Sequence, residues 1–210
     1  MGLIHCFDMD GTLIDGNDFY SQMEKYLNNT VHPKMKEVLE NILKDYSINR
    51  SDIILDSDVR KIKFKSIEKL DLINVNGYYI LKPNSDFYDL EESLGDKLIN
   101  NVYKIFKSSK NNCIITGRRE SMRKKVINNL LSLDLIPNKG IYLTPDNVNS
   151  SKETALFKYN VLKEFSNIYE AVLFFDDKES WLEIIKNKSI EDNINNLKLY
   201  RIENGRVLTF

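Results

Sequence analysis

Short, mainly apolar runs separated by stretches with helical spacing constrain this chain more than any other feature. The runs are Leu3 to Phe7, Cys113 to Ile115, Ile141 to Leu143, Ala171 to Phe175 and Leu197 to Ile202. Each is long enough for a buried strand and too short for a core helix. Such alternation is the pattern of βαβ units, so the expected class is α/β, a parallel sheet with helices on both faces. Between the runs, Met122, Val126, Ile127, Leu130 and Leu131 line one face of a helix expected over Ser121 to Leu133. Leu156, Val161, Leu162 and Phe165 line the next helix, for which Thr154 is the expected cap. Glu203-Asn204-Gly205 predicts a tight hairpin before Val207 to Phe210.

Residues 19–89 break the alternation. Met23, Tyr26 and Leu27, then Met35, Val38, Leu39, Ile42 and Leu43, predict two helices. A strand pair near Ile62 to Phe64 and Tyr78 to Leu81, joined across Asn76-Gly77, is expected after them. The domain expectation is therefore a Rossmann-like core over residues 1–18 and 90–210, with 19–89 inserted. A run of about a hundred residues between Asp10 and Thr116 is far longer than one strand connection requires. Arg60, Lys61, Lys63 and Lys65 alternate with Ile62 and Phe64 as a basic edge would, and a solubilising edge is the preferred reading over a phosphate contact.

Composition sets the remaining bounds. A formal net charge of -1 gives no global field for nucleic acid or acidic membranes. The apolar runs are far short of a membrane span, and Cys6 and Cys113, each inside one, read as buried reduced thiols. Both features predict a cytoplasmic protein without a membrane partner. His5 and His32 lack ligand partners at useful spacing, and Trp181 is expected to pack on the core.

Four segments carry chemistry, each at an expected strand end or on a helix. Asp8-Met9-Asp10-Gly11-Thr12-Leu13 places two carboxylates at the carboxyl end of a buried strand, where a hard divalent cation is their natural compensation. Alone, such a segment is a common acidic turn. Thr116-Gly117-Arg118 ends a second strand with a hydroxyl, exposed amides and a guanidinium, all able to hold phosphoryl oxygens. Asp176-Asp177 closes a third strand with two further acids. Lys158 or Lys152, on the helix before that strand, supplies an ammonium group.

In order and context these segments resemble the four motifs of the haloacid dehalogenase superfamily of phosphotransferases. Asp8 to Leu13 matches the first motif, Thr116 the second, Lys158 or Lys152 the third, and Asp176-Asp177 the double-acid form of the fourth. The spacing from Thr154 to the acid pair is similar to that of the polynucleotide phosphatase and RNA-repair-like branch, which favours Lys158. The resemblance implies Asp8 as nucleophile and Asp10 as proton donor and acceptor. It implies Mg2+ held by Asp8, the Asp10 carbonyl and an acid of the second pair. Asp177 is preferred for that place, with Asp176 turned to the lysine. Thr116, Gly117 and Lys158 would neutralise phosphoryl oxygens, and Arg118 would contact the substrate. The insertion is similar in position to a cap or enlarged flap.

The implied function is a Mg2+-dependent phosphatase working through an aspartyl-phosphate. Its substrate is a phosphomonoester, either a small phosphorylated metabolite or a nucleotide or nucleic-acid 3'-phosphate. Transfer of the phosphoryl group to a second alcohol, or a catalytically silent binding protein on the same fold, are the alternatives.

Overall fold

The structure is a computed structural model that describes residues 2–15, 19–56, 61–64, 73–75, 78–80, 87, 90 and 97–210. In chain order the strands and helices are β1 (Leu3–Phe7), β2 (Ile14–Asp15), α1 (Phe19–Leu27), α2 (Pro33–Asp45), β3 (Ile53–Asp56), β4 (Lys61–Phe64), β5 (Ile73–Val75), β6 (Tyr78–Ile80) and β7 (Lys97–Leu98). They continue with α3 (Asn100–Ser108), β8 (Asn112–Arg119), α4 (Arg123–Ser132), β9 (Ile141–Thr144), α5 (Ser151–Ser166), β10 (Ala171–Asp176), α6 (Glu179–Glu191), β11 (Leu197–Glu203) and β12 (Arg206–Thr209).

The central sheet has six strands in the order β12-β11-β10-β1-β8-β9, parallel throughout except for the antiparallel edge strand β12. This is a Rossmann-like α/β fold. Strands buried on both faces must be apolar on both, which is why the runs are continuous. On one face Ile4, Cys6, Ile115, Val172 and Phe174 pack with Tyr159, Leu162 and Phe165 of α5 and Leu182 and Ile185 of α6. On the other, Phe7, Ile114 and Phe175 pack with Val102 and Phe106 of α3 and Val126 and Leu130 of α4. Phe7, Phe175 and Tyr200 are register partners on adjacent strands, and their rings stack at 4.8 and 4.9 Å.

Several local expectations need correction. Ser150, not Thr154, caps α5, in a capping box with Glu153; Thr154 lies inside the helix, where its hydroxyl donates to the Ser150 carbonyl. Leu131 is exposed, and the buried face of α4 carries Asn129 instead. The strand over Lys61–Phe64 pairs with Ile53–Asp56, and Tyr78–Ile80 pairs with Ile73–Val75. Asn76, Gly77, Arg60 and Lys65 lie outside the described residues. The terminal hairpin turns through Asn204 and Gly205, both at positive φ, as a two-residue type I′ turn demands.

The chain divides into two compact units, residues Met1–Gly16 with Lys97–Phe210, and residues Asn17–Asp96. The first contains the sheet. The chain leaves and re-enters it through β2 and β7, which pair antiparallel, Ile14 with Leu98 and Asp15 with Lys97. The second unit has its own core, in which Met23 of α1 and Met35, Leu39 and Ile42 of α2 pack with Phe87. His32 caps α2, its Nδ1 accepting from the Lys34 amide ahead of Pro33. Among the described residues no helix is long and apolar enough to cross a membrane.

Candidate active site

The carboxyl ends of β1, β8 and β10 bring the chemistry-bearing segments together within the first unit. An open parallel sheet offers a crevice there because the chain departs to opposite faces. Asp8 follows β1 directly, its amide donating to the Phe175 carbonyl at 2.8 Å, so the sheet's hydrogen bonding holds the residue in place. The chain then turns sharply. The Met9 carbonyl receives the amides of Thr12, Leu13 and Ile14, while the Gly11 amide donates to the Ile14 carbonyl. Gly11 has φ +75°, and a Cβ there would stand 2.4 Å from an Asp177 oxygen. Glycine thus serves both the left-handed turn and the close approach of the second acid pair.

Lys158 of α5 is fully buried, and its Nζ lies 2.6 Å from Asp8 Oδ1 and 2.7 Å from Asp176 Oδ2. It projects from the helix face that packs on the sheet. Lys152 stands exposed in the first turn of α5. Asp176 has both oxygens engaged, Oδ2 by Lys158 and Oδ1 by the Lys178 amide at 2.8 Å. The Asp177 carboxylate makes no hydrogen bond to another residue among the described residues and lies against Gly11.

β8 runs past the expected end at Ile115 as far as Arg119. Its register against β9 jumps between Thr116 and Arg119, so Gly117 and Arg118 form a bulge. Bulges re-aim side chains. Here the bulge turns Arg118 onto Asp10, with Nε 2.9 Å from Oδ2 and Nη2 2.7 Å from Oδ1. Thr116 is buried one strand over; its Oγ1 accepts from the Arg118 amide and its carbonyl accepts from Thr144 Oγ1. Arg119 donates instead to the Pro145 carbonyl.

Electrostatically the cluster has an excess of acid. Burial pushes the Asp8 carboxyl well above its ordinary range. Lys158 works against that rise, while Asp176, Asp177 and Asp10 reinforce it. Burial opposes the charge on Lys158, yet Asp176 and Asp8 together hold its pKa above the ordinary lysine value. Burial first, and the Asp176 charge second, push Asp177 up to about 6. The Lys158 ammonium, even with the neighbouring Lys178, does not match three carboxylates, so the site has capacity for a further cation. Oxygen atoms of Asp8, Asp176 and Asp177 lie within 4.8 Å of one another, a set of hard donors that fits a small divalent ion. With Asp176 engaged twice, Asp8 and Asp177 are the carboxylates best placed to share it.

Two residues at the site play parts the sequence did not suggest. Trp181 belongs to neither core cluster of this unit. Its ring lies 4.2 Å from Lys158 Nζ and 4.1 Å from Lys178 Nζ. Lys178 was not singled out at all, and only its place directly after the acid pair could have drawn attention to it. His5 lies beside the stacked rings of Phe7 and Phe175, its own ring centroid 6.3 and 6.1 Å from theirs, and burial lowers its pKa. Cys6 and Cys113 are buried free thiols in register on β1 and β8.

No protein-family model matches the chain, and neither a curated protein nor a solved structure matches it.

Proposed function

We propose that this chain is a Mg2+-dependent phosphohydrolase of the haloacid dehalogenase superfamily, acting through an aspartyl-phosphate on a phosphomonoester. The observation that carries this reading is Lys158, buried between Asp8 and Asp176 at 2.6 and 2.7 Å, while the Asp177 carboxylate has no hydrogen bond to another residue among those described. A lysine that merely neutralised a structural acid would need one carboxylate. Holding one acid as a nucleophile and leaving another for a cation requires this division.

In this reading an Asp8 oxygen attacks phosphorus, and the bond from phosphorus to the leaving oxygen breaks. Asp10 gives that oxygen its proton. Asp10 then takes a proton from water as the water oxygen attacks phosphorus and the bond from phosphorus to the Asp8 oxygen breaks, restoring the Asp8 carboxylate and releasing inorganic phosphate. Lys158, the Thr116 hydroxyl and the Gly117 amide neutralise the non-bridging oxygens. Arg118 orients Asp10 through two hydrogen bonds when Asp10 is the carboxylate that accepts the proton of water, and through one when the other oxygen carries the proton for the leaving group. Mg2+, held by Asp8, the Asp10 carbonyl and Asp177, would supply charge neutralisation for the phosphoryl group. Residues Asn17–Asp96, inserted just after the first acid segment, are assigned the role of selecting the leaving group, as insertions at this place do in that superfamily. A cytoplasmic setting suits the two free thiols.

The experiment is phosphate release from a panel of phosphorylated metabolites, nucleotides and 3'-phosphorylated oligonucleotides, with and without Mg2+, and with Asp8→Asn as control. Mg2+-dependent release that disappears in the variant supports the reading. Release retained by Asp8→Asn, or none from any substrate, overturns it, and capture of the phosphoryl group by an added alcohol reassigns the acceptor.

A further inference from the structure

We infer that Trp181 is a positioning residue for Lys158, holding the ammonium where it meets phosphoryl oxygens while the carboxylates beside it change state. The inference rests on the reading of Lys158 as a phosphoryl-contacting group, but its test does not depend on turnover alone.

Trp181 sits in the first turn of α6, a helix that buries Leu182 and Ile185 in the core but leaves the indole half-buried at the sheet's carboxyl end. Groups from β8, α5 and the turn before α6 lie against the ring there. Its Nε1 donates to Ser151 Oγ at 2.7 Å, at the start of the helix that carries Lys158. A Cβ on Gly117 would lie 3.0 Å from the ring's Cη2, so the indole occupies the room that a side chain in the β8 bulge would need. The Lys158 and Lys178 ammonium groups lie 4.2 and 4.1 Å from the ring centroid. One ring therefore touches the bulge beside Thr116, the start of α5 and both lysines.

This placement is costly for an ordinary packing residue. Two like charges share one ring beside a helix N-terminus, where cations are disfavoured. What offsets this is the negative face of the indole quadrupole, strongest in tryptophan among the aromatics and most effective for a desolvated ammonium such as Lys158. Lysine also has a flexible four-carbon stem, so a buried ammonium keeps its position only through its partners. The carboxylate partners of Lys158 do not stay constant in the proposed reaction, because Asp8 becomes an acyl phosphate and loses its charge, and Asp176 adjoins the cation site. The indole contact is chemically inert to these changes. It is the closer of two aromatic contacts of the Lys158 ammonium, 4.2 Å against 5.7 Å for the Phe174 ring, and so the stronger of those that can keep Lys158 fixed through the whole cycle.

The test compares Trp181→Phe, which retains an aromatic face, with Trp181→Leu, which retains only apolar bulk. Two readouts are taken on the full chain: kcat and KM for para-nitrophenyl phosphate with Mg2+, and the hydrogen-exchange rate of the Lys158 ammonium by NMR, its resonance assigned through Lys158→Met. Trp181→Leu is expected to lower kcat about tenfold with KM little changed, and to speed ammonium exchange at least about tenfold, while Trp181→Phe recovers most of both. Wild-type kcat and exchange in Trp181→Leu would overturn the inference. Equal loss in both variants would also overturn it, by showing that indole volume and not its face matters. If the wild-type protein releases no phosphate, the phosphatase reading fails, and the exchange comparison still decides the role of Trp181.

Discussion

Arg118 grips both oxygens of Asp10 across the mouth of the site, Nε to Oδ2 at 2.9 Å and Nη2 to Oδ1 at 2.7 Å. A paired fork of this kind fixes the plane of a carboxylate as well as its distance, which a single ammonium cannot do. Arg118→Lys should therefore lower kcat by about tenfold or more while leaving KM within about threefold. Steady-state kinetics on the best substrate of the panel check this. A rise in KM alone would assign Arg118 to the substrate instead.

Gly11 faces the Asp177 carboxylate, where a Cβ would stand 2.4 Å from Oδ2 at φ +75°. Gly11→Ala should displace Asp177 and weaken Mg2+ binding at least about tenfold by calorimetry, with a stability loss of about 1–2 kcal/mol from the left-handed backbone. Unchanged Mg2+ affinity would show that Asp177 is not a ligand.

Removing the buried Lys158 cation should cost far more stability than removing the Asp8 charge. Lys158→Met leaves Asp8 and Asp176 buried without their shared partner, an expected loss of about 3–5 kcal/mol in urea unfolding. Asp8→Asn relieves the excess of negative charge at little change in volume, so its unfolding midpoint should equal or exceed that of the wild type. The reverse order would refute the charge balance described for the cluster.

The raised pKa of Asp177 gives a stability signature in the metal-free protein. Its folded value of about 6 lies above the ordinary 3.8, so the folded state binds the extra proton between those values. Stability from this group is complete below about pH 4 and is lost as pH rises through about 6. In chelator, the thermal midpoint of the wild type should fall between pH 5 and pH 7 more than that of Asp177→Asn. Mg2+ should restore stability at the upper end, because it binds the ionised form. Equal pH dependence in the two proteins would remove Asp177 from this role.

Much of the sheet was legible because doubly covered strands must be apolar throughout: Leu3–Phe7 and Ala171–Asp176 stand within a residue of their expected bounds. The acid pair, Thr116 and the lysine were legible for the same reason, since polar residues at the end of an apolar run stand out. The cap of α5 is readable in Ser150-Ser151-Lys152-Glu153, a capping-box pattern, although Thr154 is equally a residue type that caps helices. The partner of Lys61–Phe64 was not readable, because strand pairing depends on contacts outside the local pattern. Trp181 was assigned to the core since an aromatic on an amphipathic helix usually packs there. Only the positions of Lys158, Lys178 and Gly117 separate the two roles, and these come from three different segments.

The pairing of Ile14–Asp15 with Lys97–Leu98 makes the inserted unit a detachable module. Both crossings pass through one doorway two strands wide, so residues 17–96 can lengthen, shorten or be exchanged without re-registering any strand of the main sheet. Asp15 and Lys97 are already register partners, and a two-residue turn would close the gap as a hairpin. On the proposed phosphatase reading, selection can thus alter the inserted unit independently of the acid and lysine residues of the sheet-bearing unit.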